Sequence, residues 1–272
     1  MNYRLPSILL ASVAALCLAQ QATKPVIEDK KGRFKVWGLI STGIEFQQGG
    51  FRFAASGNPV RIESAEQGLT GSSRTLSGTV SQARGGAMRL RTGTMKGGVE
   101  LRLAGQDRAD TRLESETVQL DGSAGPMRAT LPGSFVLTNE ATGAEGVRTV
   151  VLRAPSGSAT FDPPESGSRD PLRQFEVAGP ATVRLTNVKG GKLTRDMVVS
   201  ARRVEYDRGA RRMTLSGQVT VEGRTVPEDG PGFEGTMSGL SVVVVYFKED
   251  FTVDRIQAQG APGTAEVREG GG

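Results

Sequence analysis

Carboxylates are the side chains of this sequence best placed to do chemistry. Glu205 and Asp207 stand two apart, on one face of an extended segment, and Glu228, Asp229 and Glu234 crowd the short stretch TVPEDGPGFEG. Two acids that face each other across a cleft can run glycoside hydrolysis, one protonating the leaving oxygen while the other attacks or activates water. The surroundings suit this poorly, because a single Trp37 and three Tyr give a sugar few aromatic platforms. The crowded acids also lack the Asp-x-Asp-x-Asp-Gly order of a calcium loop. Histidine is absent from all 272 residues, which removes the Ser-His-Asp and Cys-His nucleophile systems and most zinc sites. The expectation is a non-enzymatic protein with no catalytic residue, no metal and no cofactor.

The formal charge of +5, carried mainly by Arg, favours anionic partners. Alternating Arg residues are also what the wet face of a strand looks like, but a guanidinium binds phosphate in a bidentate way, so an anionic lipid head group fits as well. The opening MNYRLPSILLASVAALCLAQQATKP has one early charge at Arg4, an apolar run from Leu5 to Leu18 and then small residues. This is the pattern of a secretory signal peptide over residues 1–19, cut after Ala19 with Cys17 at the −3 place. The run is shorter than the roughly 20 apolar residues of a membrane span, so an uncleaved inner-membrane anchor is the alternative, and Leu16 disfavours lipidation at Cys17. Cleavage would remove the only cysteine and leave an exported, periplasmic chain without disulfides. No nucleic-acid partner is expected, since export removes the chain from the cytoplasm and its aromatics do not interleave with its basic residues.

Strands must position whatever site exists. A content of 37 Gly with 5% aromatic residues suits many strands joined by turns. In SARRVEYDRGARRMTLSGQVTVEG and the residues just before it, Val198, Val204 and Tyr206 share one parity, and Met213, Leu215, Val219 and Val221 share another on the return. Asp207, Arg208 and Gly209 supply the turn between them. The same outline recurs upstream: Val118, Leu120 and Asp121 precede a turn and a return through Leu131, Gly133, Phe135 and Leu137, and Phe161 and Asp162 precede Val177, Gly179, Ala181, Val183 and Leu185. A weaker copy carries Leu76, Gly78 and Val80. Gly133, Gly179 and Gly217 mark the places where return strands bend, and their uneven spacing predicts stacked strand pairs with turns of variable length. Helix is expected for no more than a turn or two beyond the leader, and 194–204 is expected to be strand. The stretches 153–172 and 225–235 read as loops, and the tail after Gly260 as frayed. GLSVVVVYFKEDF, residues 239–251, reads as a central strand buried on both faces, with an exposed docking surface as the alternative.

Over Leu193 to Gly223 the chain resembles the OstA-like repeat of the periplasmic lipopolysaccharide-transport proteins of the LptA and LptC type. Ala201, Val204, Tyr206, Asp207, Leu215, Gly217, Val219 and Val221 carry the likeness, and FTVDRIQAQGAPGTAEV is similar to the closing segment of such a domain. The clear likeness covers about 174–267, with weaker echoes back to Phe51, and the two long loops depart from the pattern. The resemblance implies an all-β fold, a twisted, partly open antiparallel β-jelly roll of stacked strand pairs. On that reading, residues 20–50 are an N-terminal extension with a lead-in strand, 51–267 the jelly roll, readable as two tandem copies (51–152 and 174–267), and 268–272 a flexible tail. It also implies a bridge between inner and outer membrane whose interior holds an anionic glycolipid or other acyl-chain lipid. Its edge strands would pair with other jelly-roll transport proteins or with a second copy. Parity then names the inward, lipid-facing candidates: Val118, Leu120, Phe135, Leu137, Phe161, Val183, Leu185, Val204, Tyr206, Leu215, Val219 and Val221. The competing expectation is a structural envelope scaffold or adhesin-type protein with the same strands and no lipid cavity.

Overall fold

The computed structural model describes residues 24–82, 87–104, 110–123, 125–143, 146–163, 171–225, 233–249, 253–260 and 263–268. The leader with Cys17, the acids Glu228 and Asp229, and the terminal residues 269–272 lie outside the described residues.

Period-two sequence becomes strand nearly everywhere. β1 (Ile27–Glu28), β2 (Phe34–Gln47), β3 (Gly50–Ser64), β4 (Leu69–Gln82), β5 (Met88–Ala104) and β6 (Asp110–Asp121) follow one another as neighbours in a single antiparallel sheet. After them come four short strands, β7 (Met127–Leu131), β8 (Phe135–Gly143), β9 (Gly146–Ala154) and β10 (Gly157–Phe161). β11 (Leu172–Lys189), β12 (Lys192–Asp207), β13 (Arg212–Thr225), β14 (Phe233–Phe247), β15 (Val253–Gly260) and β16 (Gly263–Arg268) complete the meander. Among the described residues the helical element is one 3-10 turn, Ala65–Gln67. The chain is an all-β, twisted antiparallel roll.

A sheet with one apolar face has to cover that face, and this one does so by folding over on itself. The long strands carry an irregularity of register near their middles: between Ser56 and Val60, Ser72 and Thr75, Lys96 and Val99, Ala178 and Ala181, Ser200 and Arg203, and Ser216 and Val219. Bulges add twist and bend a strand, and these line up into a crease. Gly179 and Gly217 sit on it with φ of +123° and +78°, a backbone region that strains residues bearing a Cβ. Each long strand therefore contributes one half to a front layer and the other half to a back layer. In β12, residues 203–207 are front and 192–200 are back.

At the centre of the meander the same path is cut in two. β6 pairs with β7 through residues 119–121 and with β8 through 110–115, while β11 pairs with β10 through 172–176 and with β9 through 182–188. β7 and β8 are thus one long strand broken at Pro132–Ser134, and β9 and β10 another broken at Pro155 and Ser156. Proline has no N–H for the ladder, so a break at each proline costs little. The six strands β6, β7, β10, β11, β9 and β8 close a ring here. Gly133, expected to mark a bend, lies in the first of these breaks.

The recurring apolar-Asp pair has a local cause. Leu120, Phe161 and Tyr206 are buried at the ends of front-layer strands; the aspartates after Leu120 and Tyr206 fasten the chain that leaves the strand, while Asp162 ties β10 to the β12–β13 turn. Asp121 accepts hydrogen bonds from the Ser123 N–H (2.9 Å) and hydroxyl (2.6 Å), Asp207 from the Ala210 N–H (3.0 Å), and Asp162 from Arg208. The Ser123 hydroxyl and N–H hold the Asp121 carboxyl below the usual aspartate range, and the Ala210 N–H does the same for Asp207. The Arg184 guanidinium lowers Asp196 in the same direction. A group whose folded-state pKa is depressed contributes stability that is complete above its unfolded value, near 3.8, and lost as pH falls through the folded one. Thermal unfolding midpoints are accordingly expected to hold from pH 7 to about 5 and to drop below about 4. The doubly substituted D121N/D207N chain should start lower at pH 7 and fall less steeply. A variant that tracks the parent at every pH would remove these turns as the cause.

Several expectations need correcting. Val198 does not share a face with Val204 and Tyr206: the bulge between Ser200 and Arg203 reverses the parity, so Met197, Val199 and Ala201 are buried behind it and Val198 is half-buried on the outside. The stretch 153–172 is not simply a loop, since β10 lies within it between β7 and β11. Residues 263–268, after Gly260, form β16 against β15. β14 is not buried on both faces. Val243, Val245 and Phe247 are buried, while Val242, Val244 and Tyr246 are half-buried because no third layer covers the outer face among the described residues. Arg255 partly covers Tyr246, its guanidinium 4.2 Å from the ring centroid.

Candidate functional site

The space between the layers is one continuous apolar interior, from Ile27 and Phe34 at one end to Val253 and Ala258 at the other. All twelve residues named by parity point into it: Val118, Leu120, Phe135, Leu137, Phe161, Val183, Leu185, Val204, Tyr206, Leu215, Val219 and Val221 are each buried in this cluster. They are brought together from β6, β8, β10, β11, β12 and β13. The inner walls meet closely, with Val118, Val183, Val204, Leu215 and Val219 at 0% exposure.

The two layers join at the crease and face each other at a mouth formed by their turns. Near the N-terminal end the mouth is laced by Gln67 of the 3-10 turn, on the back layer. Its amide Nε2 donates to the carbonyl of front-layer Leu90 at 3.0 Å, and its Oε1 accepts the Leu90 N–H at 3.1 Å and the Ser64 hydroxyl at 2.9 Å. Beside it Glu66 pairs with Arg33 at 2.7 Å and with front-layer Arg89 at 3.5 Å. A buried amide bond left half-made costs about 1–3 kcal/mol per stranded group. Gln67→Ala is therefore expected to lower unfolding free energy by roughly 2–3 kcal/mol, read from the urea midpoint. A loss below about 0.5 kcal/mol would mean the lacing carries no load.

Farther along, the mouth is bridged differently. Arg148 of β9 shares inward parity with Val150 and Leu152, and its guanidinium lies 5.4 Å from the ring centroid of Phe247 in the front layer. Its Nη2 donates to Asn139 Oδ1 at 2.9 Å, and Asn139 Nδ2 donates to Thr111 Oγ1 at 2.9 Å. Arg195 of β12 shares inward parity with Met197 and Val199 and is 6% exposed; burial pushes its guanidinium down to about 10. The front-layer wall here is aromatic: Phe175 stacks on Tyr206 at 5.3 Å, and Tyr206 meets Phe247 edge-on at 6.0 Å. Parity alone could have found these arginines, because each occupies an inward place in a strand whose other inward places are apolar.

Open troughs lie on the outer faces. A trough of about 630 Å³ on the front layer is lined by the cross-strand row Arg52, Thr79, Thr92, Asp121 and Arg128. A second, of about 390 Å³, shares Arg128 and includes Glu176, Glu205 and Asp207. Glu205 is ion-paired with Arg203 at 2.5 Å, and Asp207 accepts from Gln174 at 3.0 Å. Glu205 is thus paired along its own strand and Asp207 across to β11 and within its turn, alongside the outward pairs of Arg102 with Asp110 and Arg184 with Asp196. Among the described residues no cluster of His, Cys, Asp and Glu could hold a metal ion.

The sheet has two free ends, at β1 and β16. Among the described residues β1 and Asp29 cover Phe34, Lys35 and Val36 of β2 and no strand pairs with the rest of that edge; Leu39, Ile44 and Phe46 along it are exposed, Phe46 at 82%. Phe46 is the outer member of a run that passes inward through Phe51 at 6.3 Å and Phe53 at a further 6.2 Å. Searches of protein-family models, curated proteins and solved structures find no match to this chain.

Proposed function

We propose that this chain is a non-enzymatic lipid-binding module of the periplasm, carrying an acyl-chain lipid of the lipopolysaccharide kind between membranes. The observation that carries the proposal is the apolar interior that runs unbroken between two layers joined at one crease. An acyl chain placed there gains roughly 0.8 kcal/mol per buried CH₂ without any directed contact. The free edge of β2, with its exposed apolar side chains, offers main-chain groups to a neighbouring sheet, which supports assembly with other jelly-roll proteins or with a second copy. The OstA-like pattern over 193–223 supports the same reading.

A second reading has its own observation. The inner walls are packed against each other and the open troughs described above lie outside, which favours a structural envelope scaffold with no lipid cavity. Native mass spectrometry of the protein purified gently from membranes separates the two. The carrier should retain a co-purifying acyl lipid that is lost on organic extraction; a single lipid-free mass, unchanged after incubation with lipid micelles, would favour the scaffold.

A further inference from the structure

The back layer carries a trough of about 540 Å³ on its outer face. Its floor is β4, whose outward side chains here are short, Thr70 and Ser72. Its walls are long and charged, with Arg61 and Glu63 of β3 on one side and Glu100 and Arg102 of β5 on the other. Register sets Arg61, Ser72 and Glu100 in one row and Glu63, Thr70 and Arg102 in the next. Trp37 of β2 is the register partner of Arg61 and ends the first row. It is the only tryptophan of the chain, and it is half-buried on an outer face.

The two walls stand two strand spacings apart, about 10 Å, and among the described residues no ion pair crosses β4 between them. Arg102 pairs instead with Asp110 at 2.7 Å and Glu100 with Arg112 at 3.2 Å, both partners on β6. Each wall thus presents one guanidinium, which only donates hydrogen bonds, and one carboxylate, which only accepts them. The four charges cancel, so the trough favours neither an anion nor a cation. A hydroxyl both donates and accepts, and a neutral ligand with hydroxyls along both edges matches such walls. The indole adds a flat apolar surface, large enough to take the C–H face of a sugar ring out of water. Trp37 lies about two strand spacings from β4, so a ligand that reaches both is longer than one ring.

We propose that this trough binds a neutral oligosaccharide. One hexopyranose ring lies over Thr70 and Ser72, with its hydroxyls between Arg61 and Glu63 on one side and Glu100 and Arg102 on the other, and a neighbouring ring rests its C–H face on Trp37. The site is on the outside of the back layer and does not depend on a lipid in the interior, so a carrier and a scaffold can each hold a glycan this way.

Titration of the full chain with maltotriose, cellotriose and mannotriose, followed by calorimetry and by the emission of Trp37, tests it. At least one should bind and move the emission to shorter wavelength as the ring displaces water from the indole, and the matching monosaccharide should bind about tenfold or more weakly. The R61A/E63A chain, altered at two side chains outside the core, should lose about tenfold or more in affinity because charge-assisted hydrogen bonds are removed. Trp37→Ala should lose a comparable amount by calorimetry, and if that chain fails to fold, R61A/E63A decides. Trigalacturonate binding about tenfold tighter than every neutral trisaccharide overturns the proposal in favour of an anion site on Arg61 and Arg102. Binding that leaves either the Trp37 emission or the R61A/E63A affinity unchanged puts the sugar elsewhere and overturns it, as does equal binding of the monosaccharide. Absence of heat and of an emission shift with all three trisaccharides at about 10 mM also overturns it, and each of these results leaves the lipid reading as it was.

Discussion

Phe161→Ala is expected to lower the unfolding free energy by about 3–5 kcal/mol, the range for removing a fully buried aromatic ring from a core that collapses only in part. Phe161 is 1% exposed at the end of β10, the middle strand of three, where it stands opposite Met127 of β7 and Leu172 of β11. β10 has five residues, so the ring is a large share of what holds it in the front layer. The residue that follows, Asp162, accepts from Arg208 and lies 3.7 Å from Arg173, so loosening β10 also loosens a contact with the β12–β13 turn. Phe46→Ala is the matched control. That ring is 82% exposed, and its removal is expected to change stability by no more than about 0.5 kcal/mol. Urea unfolding of the two variants beside the parent gives both numbers. Equal losses would mean that the interior is not organised around the front-layer strand ends.

Gly223→Ala is expected to be nearly as severe, for a backbone reason. Gly223 has φ of +143°, and a Cβ there would stand 2.1 Å from the carbonyl oxygen of Asp196 and 2.8 Å from Met197 Cα. Met197 is its register partner in β12, and Gly235 is its partner in β14. The methyl group cannot be accommodated by turning a side chain, because the atoms it meets are backbone in the middle of a sheet. Strained backbone of this kind costs roughly 1–3 kcal/mol before the ladder is disturbed. The expected loss is therefore about 3 kcal/mol, or failure to accumulate as folded protein. Gly133→Ala makes the comparison sharp: nothing lies within 4 Å of its added Cβ and its φ is not in the positive region. It should be neutral, or stabilising by up to about 1 kcal/mol through the unfolded chain. A folded, undiminished G223A chain would show that β12 and β13 do not approach as described.

Both effects bear on how a ligand could enter. The inner walls pack closely among the described residues, so on the proposed lipid-binding reading a chain is taken up where the layers separate, and the mouth is bridged differently along its length. At the N-terminal end Gln67 joins the layers through two backbone hydrogen bonds, flanked by the Glu66 ion pairs. Beside β9 the bridge is the face of Phe247 beneath Arg148, a contact of about 0.5–2 kcal/mol depending on how dry it is.

The strand content was legible because alternation and turn chemistry are local. Tyr206 and Asp207 illustrate it: the ring is buried and the carboxylate fastens the turn, and both roles follow from a residue's place at the end of a period-two run. The echo at Leu120–Asp121 is read the same way, and so were the inward sides of the twelve interior residues; Asp162 instead accepts from Arg208 of another turn. Val198 shows where that reasoning stops. The parity that faces inward at Val204 and Tyr206 does not carry back past the bulge to Val198, and nothing within the run SARRV announces the extra residues that reverse it.

The sequence by itself determined that this protein is built of antiparallel strands, that it contains no histidine for catalysis, and which side chains of its best-preserved strand pairs point inward. Each of these depends on residue type and on spacings of a few positions. Only the tertiary structure decided that the strands fold along a row of bulges into two layers, that Pro132 and Pro155 split two of them, and that the outer side of β14 stays half-covered. It alone set Arg148 and Arg195 on one rim across from Phe247. Those outcomes depend on what packs opposite each strand, and residues forty or more positions apart meet there for reasons that no short stretch of sequence contains.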